Sequence, residues 1–258
     1  RVLCEEDLHL ARRKLIQMHL DSRVGHLGGN LSCLDITMLI HHDFLDVGDQ
    51  FVLSKGHSAG ALYVTLNSLG LISDSDLSTF HMDGTCLAAH PVANLVEQIL
   101  FSTGSLGHGL SLAAGVAMAW KLQEKSHKIY CLLSDGEWQE GSTWEALIFA
   151  SHHNLSNLTV VVDQNGLQGF GRVSDISSMH ELAQRLAPFN ALILKANGHD
   201  LSEMRQVLNM QSDTLKVVIC ETTKGYGVSD FEGKMESHYL PPTQQQLRDF
   251  LADAGLHS

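Results

Sequence analysis

No apolar stretch in this 258-residue chain reaches the roughly 20 residues that a membrane-spanning helix needs. Its first residues, Arg1-Val2-Leu3-Cys4-Glu5-Glu6, lack a signal-peptide pattern. Basic residues are scarce: 17 Lys and Arg face 29 Asp and Glu, a formal charge of −12, with no clustered basic stripe. Nucleic acid is thereby excluded as the main partner, because phosphate binding needs a basic face. The five cysteines (Cys4, Cys33, Cys86, Cys131, Cys220) are an odd number without a C-x-x-C pair, so a reduced, cytoplasmic setting is expected. There are 16 histidines but no H-x-x-x-H spacing, which removes a zincin. A nucleophile elbow and a bimetal carboxylate cluster are missing too, which weakens a generic α/β metal hydrolase. Internal repeats, low-complexity tracts and dividing linkers are absent, so a single domain over residues 1–258 is expected.

What is there is ordinary globular composition, 44% hydrophobic and 18% charged. Amphipathic spacing predicts a helix over 5–20, with Leu8, Ala11, Leu15 and Met18 inward. Ser32-x-x-Asp35 reads as a capping box opening a helix that runs to about 44. A short strand, 51–53, precedes a helix over 59–69. Residues 71–101 read as irregular, and a small-residue helix follows over 106–123. Strands are then expected at 129–133, 158–162, 191–194 and 217–220. They alternate with helices at 141–153, 179–187, 201–210 and 243–254. Such βαβ alternation predicts an α/β fold, a mostly parallel sheet flanked by helices on both faces. The nearly continuous apolar strands fit a sheet buried on both sides. Cys131 and Cys220 fall inside those strands as small hydrophobes. His41, His42, His152, His153 and His180 read as helix-surface residues.

Two strand ends carry the strongest chemical signal. One apolar run stops at Ser134-Asp135-Gly136, and another leads into Asp163-Gln164-Asn165-Gly166-Leu167. If the strands are parallel neighbours, one crevice receives the Asp135 carboxylate, the Asn165 amide oxygen and the Leu167 carbonyl. Such a set suits a hard divalent cation that keeps positions for phosphate oxygens and water, while Gly136 lets a phosphate approach the backbone. Asp-Gly and Asn-Gly are also common turn dipeptides, so each alone would be unremarked. His26, His57, His90 and His238 sit in loops at element ends, where imidazoles can donate to phosphate or sugar hydroxyls and move protons near neutral pH. The run Ser102-Thr103-Gly104-Ser105-Leu106-Gly107 precedes the small-residue helix and can host an anion or a flat ring, though it is not a G-x-G-x-x-G fingerprint. Glu137, Glu140 and Glu145 open the 141–153 helix, where the helix dipole favours acids.

In combination these segments resemble the transketolase family of thiamine-diphosphate enzymes. That family's cofactor motif runs G-D-G to an Asn some thirty residues later; here it reads Ser134-Asp135-Gly136 through Asn165. Gly25-His26-Leu27-Gly28-Gly29, Leu53-Ser54-Lys55-Gly56-His57, His90-Pro91, Gly104-Ser105-Leu106-Gly107 and Lys224-Gly225-Tyr226-Gly227-Val228 with His238 follow in the family's order, over about residues 8–240. The resemblance implies that Asp135, Asn165 and the Leu167 carbonyl bind Mg²⁺ or Ca²⁺. It implies cofactor contacts from His57, Gly104, Leu106, Gly136, Glu137, Asn165 and His238. His26 and His90 would hold the hydroxyls of a ketose (phosphate) donor and assist proton transfer, and Glu140 would join a carboxylate network across a dimer seam.

Ser134 departs from the family's first glycine. The larger departure is length: a full transketolase adds a pyrimidine-binding domain, whose glutamate activates the cofactor, and a C-terminal domain. Transketolases leave carbanion stabilisation to the cofactor and assign its activation and the substrate's positioning to protein. The resemblance therefore implies the N-terminal subunit of a split transketolase, paired in a homodimer of heterodimers with a C-terminal subunit. An α-subunit of a 2-oxo-acid dehydrogenase shares the diphosphate motif, but the histidine set and Gly104-Ser105-Leu106-Gly107 favour transketolase. A non-catalytic relative acting as a binding or regulatory module is a further alternative.

Overall fold

The computed structural model describes residues 2–177, 179 and 181–253. Five parallel strands form its sheet: β1 (Gln50–Leu53), β2 (Ile129–Ser134), β3 (Leu158–Gln164), β6 (Ala191–Asn197) and β7 (Leu215–Glu221), in the order β1-β2-β3-β7-β6. Between β3 and β6, β4 (Leu167–Gln168) and β5 (Gly171–Arg172) make a small antiparallel hairpin that sequence patterning did not anticipate.

Side-chain alternation along the strands divides the core into two layers. Tyr130 and Leu132 of β2 face the layer that also holds Val161, Val218 and Cys220, while Cys131 and Leu133 face the layer with Val160, Val162, Val217 and Ile219. The first layer is covered by α1 (Glu5–Ser22), α2 (Leu27–Leu39), α3 (Ala59–Ser68), the short α4 (Asp74–Leu77), α9 (Leu201–Asn209) and α11 (Gln244–Asp253). The second lies under α5 (Gly109–Leu122), α6 (Gly141–His152) and α8 (Leu182–Leu186). Single-turn helices α7 (Val173–Ile176) and α10 (Glu236–Tyr239) sit in the loops beyond β5 and β7. Helices on both faces of a parallel sheet are as expected.

Several local expectations were wrong. Ser32 and Asp35 do not cap a helix; they lie inside α2, which begins at Leu27 and is buried along its whole length. A helix buried all round must satisfy its polar side chains internally. Ser32 does so on Asp163 at 2.6 Å, and Asp35 on Arg12 and on His199 at 2.8 Å. His41 is no surface residue either: it is 6% exposed, its Nδ1 is 2.8 Å from the Thr37 carbonyl, and its ring meets Phe51 edge-on. Within 71–101, Ser73 caps α4, accepting from the Asp76 N–H at 3.1 Å. The small-residue helix begins at Gly109, three residues later than expected. His180 and part of the 179–187 and 243–254 expectations fall outside the described residues.

Candidate active site

The carboxyl ends of parallel strands are where α/β sheets build their sites. Here β1, β2, β3 and β7 deliver their following loops to one cavity of about 570 Å³. The β2–β3 register pairs Ser134 with Asp163, so Asp135 and Asn165 emerge side by side, and the Asp135 N–H donates to the Asp163 carbonyl at 3.2 Å. His26, His57, His90 and His238 line the cavity, with Gly104 and Leu106 on one wall. Asp135, Gly136, Glu140, Asn165 and Leu167 of the expected set line it too. Segments up to 212 residues apart in sequence, from His26 to His238, are thus gathered at one place.

Asp135 is 4% exposed; its Oδ1 accepts from the Gly136 N–H at 2.9 Å and its Oδ2 from the Gly166 N–H at 2.7 Å. Burial, and then Asp163, push its carboxyl up to about 7, against those backbone donors and Lys55. A carboxylate so placed gains from a cation beside it. Asn165 Oδ1 accepts from the Leu167 N–H at 3.1 Å, and Leu167, whose carbonyl accepts from Lys224 Nζ at 3.2 Å, lines the same cavity. One carboxylate, one amide and one carbonyl, all oxygen donors, fit a hard divalent cation. No cluster of three or more His, Cys, Asp or Glu is arranged for a metal among the described residues.

The histidines form a tight group. The His26 ring centroid lies 4.8 Å from that of His238 and 5.6 Å from that of His57. His26 itself holds a left-handed backbone, φ 64°, fixed by its N–H bond to the His238 carbonyl at 2.9 Å. A non-glycine residue held there is a strain that surrounding structure must sustain, and such strain clusters at functional sites. Burial lowers all four imidazoles, His57 well below its ordinary value and His238 to about 4. Two buried lysines, Lys55 and Lys224, lower His57 and His238 further, and Lys224 also lowers His26. The rings are therefore neutral at pH 7 and stand beside the cationic Lys224.

Lys224 was not among the residues singled out for a role. It is 2% exposed, and its Nζ lies 3.2 Å from the Leu167 carbonyl and 3.0 Å from His238 Nδ1. Burial, then Lys55, lower it to about 8, against Asp163 and Asp135. Asp163 and Lys55 were likewise passed over, although both are fully buried and form an ion pair beneath the cavity. Burial would raise Asp163, but Lys55 and the donors Ser32 and Thr222 outweigh it and bring the carboxyl down. The available signal was a lysine beside glycine at two strand ends of a lysine-poor chain.

Glu137 departs from expectation. Its side chain is fully buried and does not line the cavity. Its carboxylate accepts from Ser54 Oγ at 2.5 Å and from the backbone N–H groups of Gly107 and Ser134, both at 2.9 Å. The side chain thus joins the ends of β1 and β2 to the 104–107 loop and works beneath the floor, not on a bound group. Glu140, by contrast, is exposed within this single chain and stands at the cavity edge. Glycines set the clearances: a Cβ on Gly56 would stand 2.5 Å from the Thr103 carbonyl oxygen, and one on Gly136 3.0 Å from Gln168 Oε1.

Comparison with known proteins agrees with this geometry. The family model described as transketolase, thiamine diphosphate binding domain, matches residues 13–257. The chain is 36% identical over 256 residues to an apulose-4-phosphate transketolase subunit from Phocaeicola vulgatus, covering 95% of this chain and 91% of that one. It is 30% identical over 242 residues to a 6-deoxy-6-sulfo-D-fructose transketolase subunit from a Clostridium species, covering 89% of this chain and 88% of the relative. The crystal structure of transketolase from Campylobacter jejuni superposes with a TM-score of 0.86 at 27% identity, over 98% of this chain but 43% of the longer one. The chain therefore spans nearly all of the subunit relatives and less than half of a full-length enzyme. It belongs to the transketolase family and corresponds to that family's thiamine-diphosphate-binding domain.

Proposed function

We propose that the chain is the diphosphate-binding, N-terminal subunit of a split transketolase, moving a two-carbon ketol unit from a ketose (phosphate) donor to an aldose acceptor. The observation that carries this reading is the joining of Asp135, Asn165 and the Leu167 carbonyl with four neutral imidazoles around one cavity. In this reading Asp135, Asn165 and the Leu167 carbonyl would hold Mg²⁺ (or Ca²⁺), which would offset the charge of the diphosphate. Gly136 admits the phosphates to the backbone, and Gly104 and Leu106 line the cofactor ring. Bound thiamine diphosphate supplies the electron sink for cleaving the bond beside the donor's carbonyl.

The remaining work falls to side chains. Lys224 donates to His238 Nδ1, which leaves the proton of this neutral ring on Nε2, where it can donate to an anionic oxygen. His57 lines the same cavity from the loop after β1, and its neutral ring can also donate to an anionic oxygen. His26 and His90 take the donor's hydroxyls, each ring able to give a proton at one nitrogen and accept at the other. Glu140, exposed at the cavity edge in the single chain, is offered to a partner, in keeping with a carboxylate network across a dimer seam.

The partner is a C-terminal transketolase subunit carrying the pyrimidine-binding domain, and the assembly a homodimer of heterodimers. Support comes from the relatives that are themselves named as transketolase subunits, which this chain matches over about nine-tenths of their length. Among the described residues no helix is long and apolar enough to cross a membrane. A cytoplasmic location belongs to the same reading. The relatives' named substrates carry a phosphate or a sulfonate, so a sugar with a terminal anionic group is the substrate class to try first. The test assays ketol transfer with Mg²⁺ and thiamine diphosphate, using the chain alone and then with its cognate C-terminal subunit. Activity is expected only in the mixture; full activity from the chain alone would overturn the split-enzyme reading.

A further inference from the structure

Beneath the cavity, Asp163 collects donors from four separate segments. Ser32 Oγ of α2 donates at 2.6 Å; Lys55 Nζ after β1 and Thr222 Oγ1 after β7 also donate to it. The fourth donor is Asn165 Nδ2, at 3.2 Å, which also approaches Ser32 Oγ at 3.3 Å. Asp163, Lys55 and Ser32 are wholly buried, so water does not compete for these bonds.

The arrangement answers a question that an asparagine ligand always raises. Its amide has two nearly isosteric orientations, one presenting oxygen and the other NH₂. Only the oxygen can ligate a cation. An ionised carboxylate has no hydrogen to give, so it accepts the NH₂ end and rejects the flipped amide. Ser32 works in the same sense: with its hydrogen directed at Asp163, it turns a lone pair to Asn165. Oδ1 is thereby turned away from the carboxylate, to the side where the Leu167 N–H meets it at 3.1 Å.

We propose that Asp163 is a positioning residue that fixes the Asn165 amide with its oxygen toward the divalent cation, with Lys55 as the buried counter-ion that makes a carboxylate tolerable there. The inference rests on the metal reading given above. It differs from it in placing the orientation of a ligand in a group that touches neither metal nor diphosphate. Groups behind a metal ligand typically carry a 10–100-fold share of metal affinity.

The test measures binding of Mn²⁺ together with thiamine diphosphate to the full chain, by calorimetry and by the Mn²⁺ electron-spin signal, in a double-mutant cycle. Asp163→Leu, which leaves no acceptor for the Asn165 NH₂, is expected to weaken Mn²⁺ binding about 10–100-fold with an unchanged far-ultraviolet dichroism spectrum. Asn165→Ala is expected to weaken it similarly, and the double variant no further than Asn165→Ala alone. Should Asp163→Leu fail to fold around an unpaired Lys55, the double change Lys55→Met/Asp163→Leu removes the buried pair together and carries the same expectation. Binding within twofold of the parent in the folded Asp163 variant, or fully additive losses, would overturn the proposal. If the parent itself binds no Mn²⁺ with thiamine diphosphate, Asn165→Ala will match it; the metal reading then fails and takes the proposal with it.

Discussion

The amino group of Lys224 lies 3.0 Å from Nδ1 of His238, so a cation and an imidazole are held together on the lining of one cavity. Burial, and then Lys224, hold His238 down at about 4. Replacing the lysine with an isosteric apolar chain, Lys224→Met, removes the positive charge and frees Nδ1. His238 is then expected to titrate closer to its ordinary 6.5, with only the burial effect and weaker neighbours remaining. Nitrogen NMR of the His238 ring in the cofactor-free chain reads both the shift and the loss of tautomer preference. Thiamine diphosphate binding should weaken by roughly tenfold, the scale of one charge-assisted hydrogen bond. An unmoved His238 titration would show that the two groups are not coupled.

Asp135 is the one carboxylate in the proposed metal set. Asp135→Asn nearly keeps the shape but can accept from only one of Gly136 and Gly166, its other terminal atom being an NH₂ donor, and it removes the charge that offsets a dication. Calorimetric titration with Mg²⁺ and thiamine diphosphate is expected to give no heat above the buffer blank. The variant should melt close to the parent, because relief of the buried charge and loss of one backbone hydrogen bond act in opposite directions. Cofactor binding at parental affinity would remove Asp135 from the metal set.

The strand ends were legible in the sequence because they are local. An apolar run, a turn dipeptide and a helix start lie within a dozen residues of each other at Asp135, and the parallel register that joins Asp135 to Asn165 follows from βαβ alternation. Lys55, Asp163 and Ser32 were not legible as a unit. Ser32 meets Asp163 across 131 residues and Lys55 meets it across 108, and no periodicity encodes such a pairing. The same blindness produced the false capping box. Ser32-x-x-Asp35 has the spacing of a helix start, but its two polar groups are spent on distant partners inside a buried helix. Glu137 was misread for a similar reason: it sits beside Asp135 and Gly136 in sequence, while its carboxylate turns inward to Ser54 and Gly107.

Gly56 tests how tightly the loops are fitted. A Cβ there would stand 2.5 Å from the Thr103 carbonyl oxygen and 2.6 Å from its carbon, backbone atoms that cannot rotate away. Gly56→Ala must displace the 102–107 loop, with Gly104 and Leu106 on the cavity wall. A stability loss of about 1–3 kcal/mol is expected in chemical denaturation, the usual scale of overpacking. Weaker thiamine diphosphate binding should accompany it. A variant as stable as the parent would mean that the loop can yield at no cost.

Acid should weaken the fold through two histidines that have no part in the site. His19 and His41 are buried, and burial lowers each from 6.5 to about 4 in spite of a backbone hydrogen bond to one ring nitrogen. The Nε2 of each has no hydrogen-bond partner among the described residues, so neither nitrogen offers a proton a welcome. The unfolded chain binds these protons more readily than the native one. Stability from the pair is therefore complete above about 6.5 and is lost as pH falls from 6.5 toward 4, on the order of 2–3 kcal/mol for each ring at the lower limit. His41→Phe, which keeps an aromatic ring against Phe51, removes one of the two contributions. Melting curves at pH 7 and pH 5 should lie closer together in the variant than in the parent. An equal gap in both proteins would mean that His41 is protonated as easily in the fold as out of it.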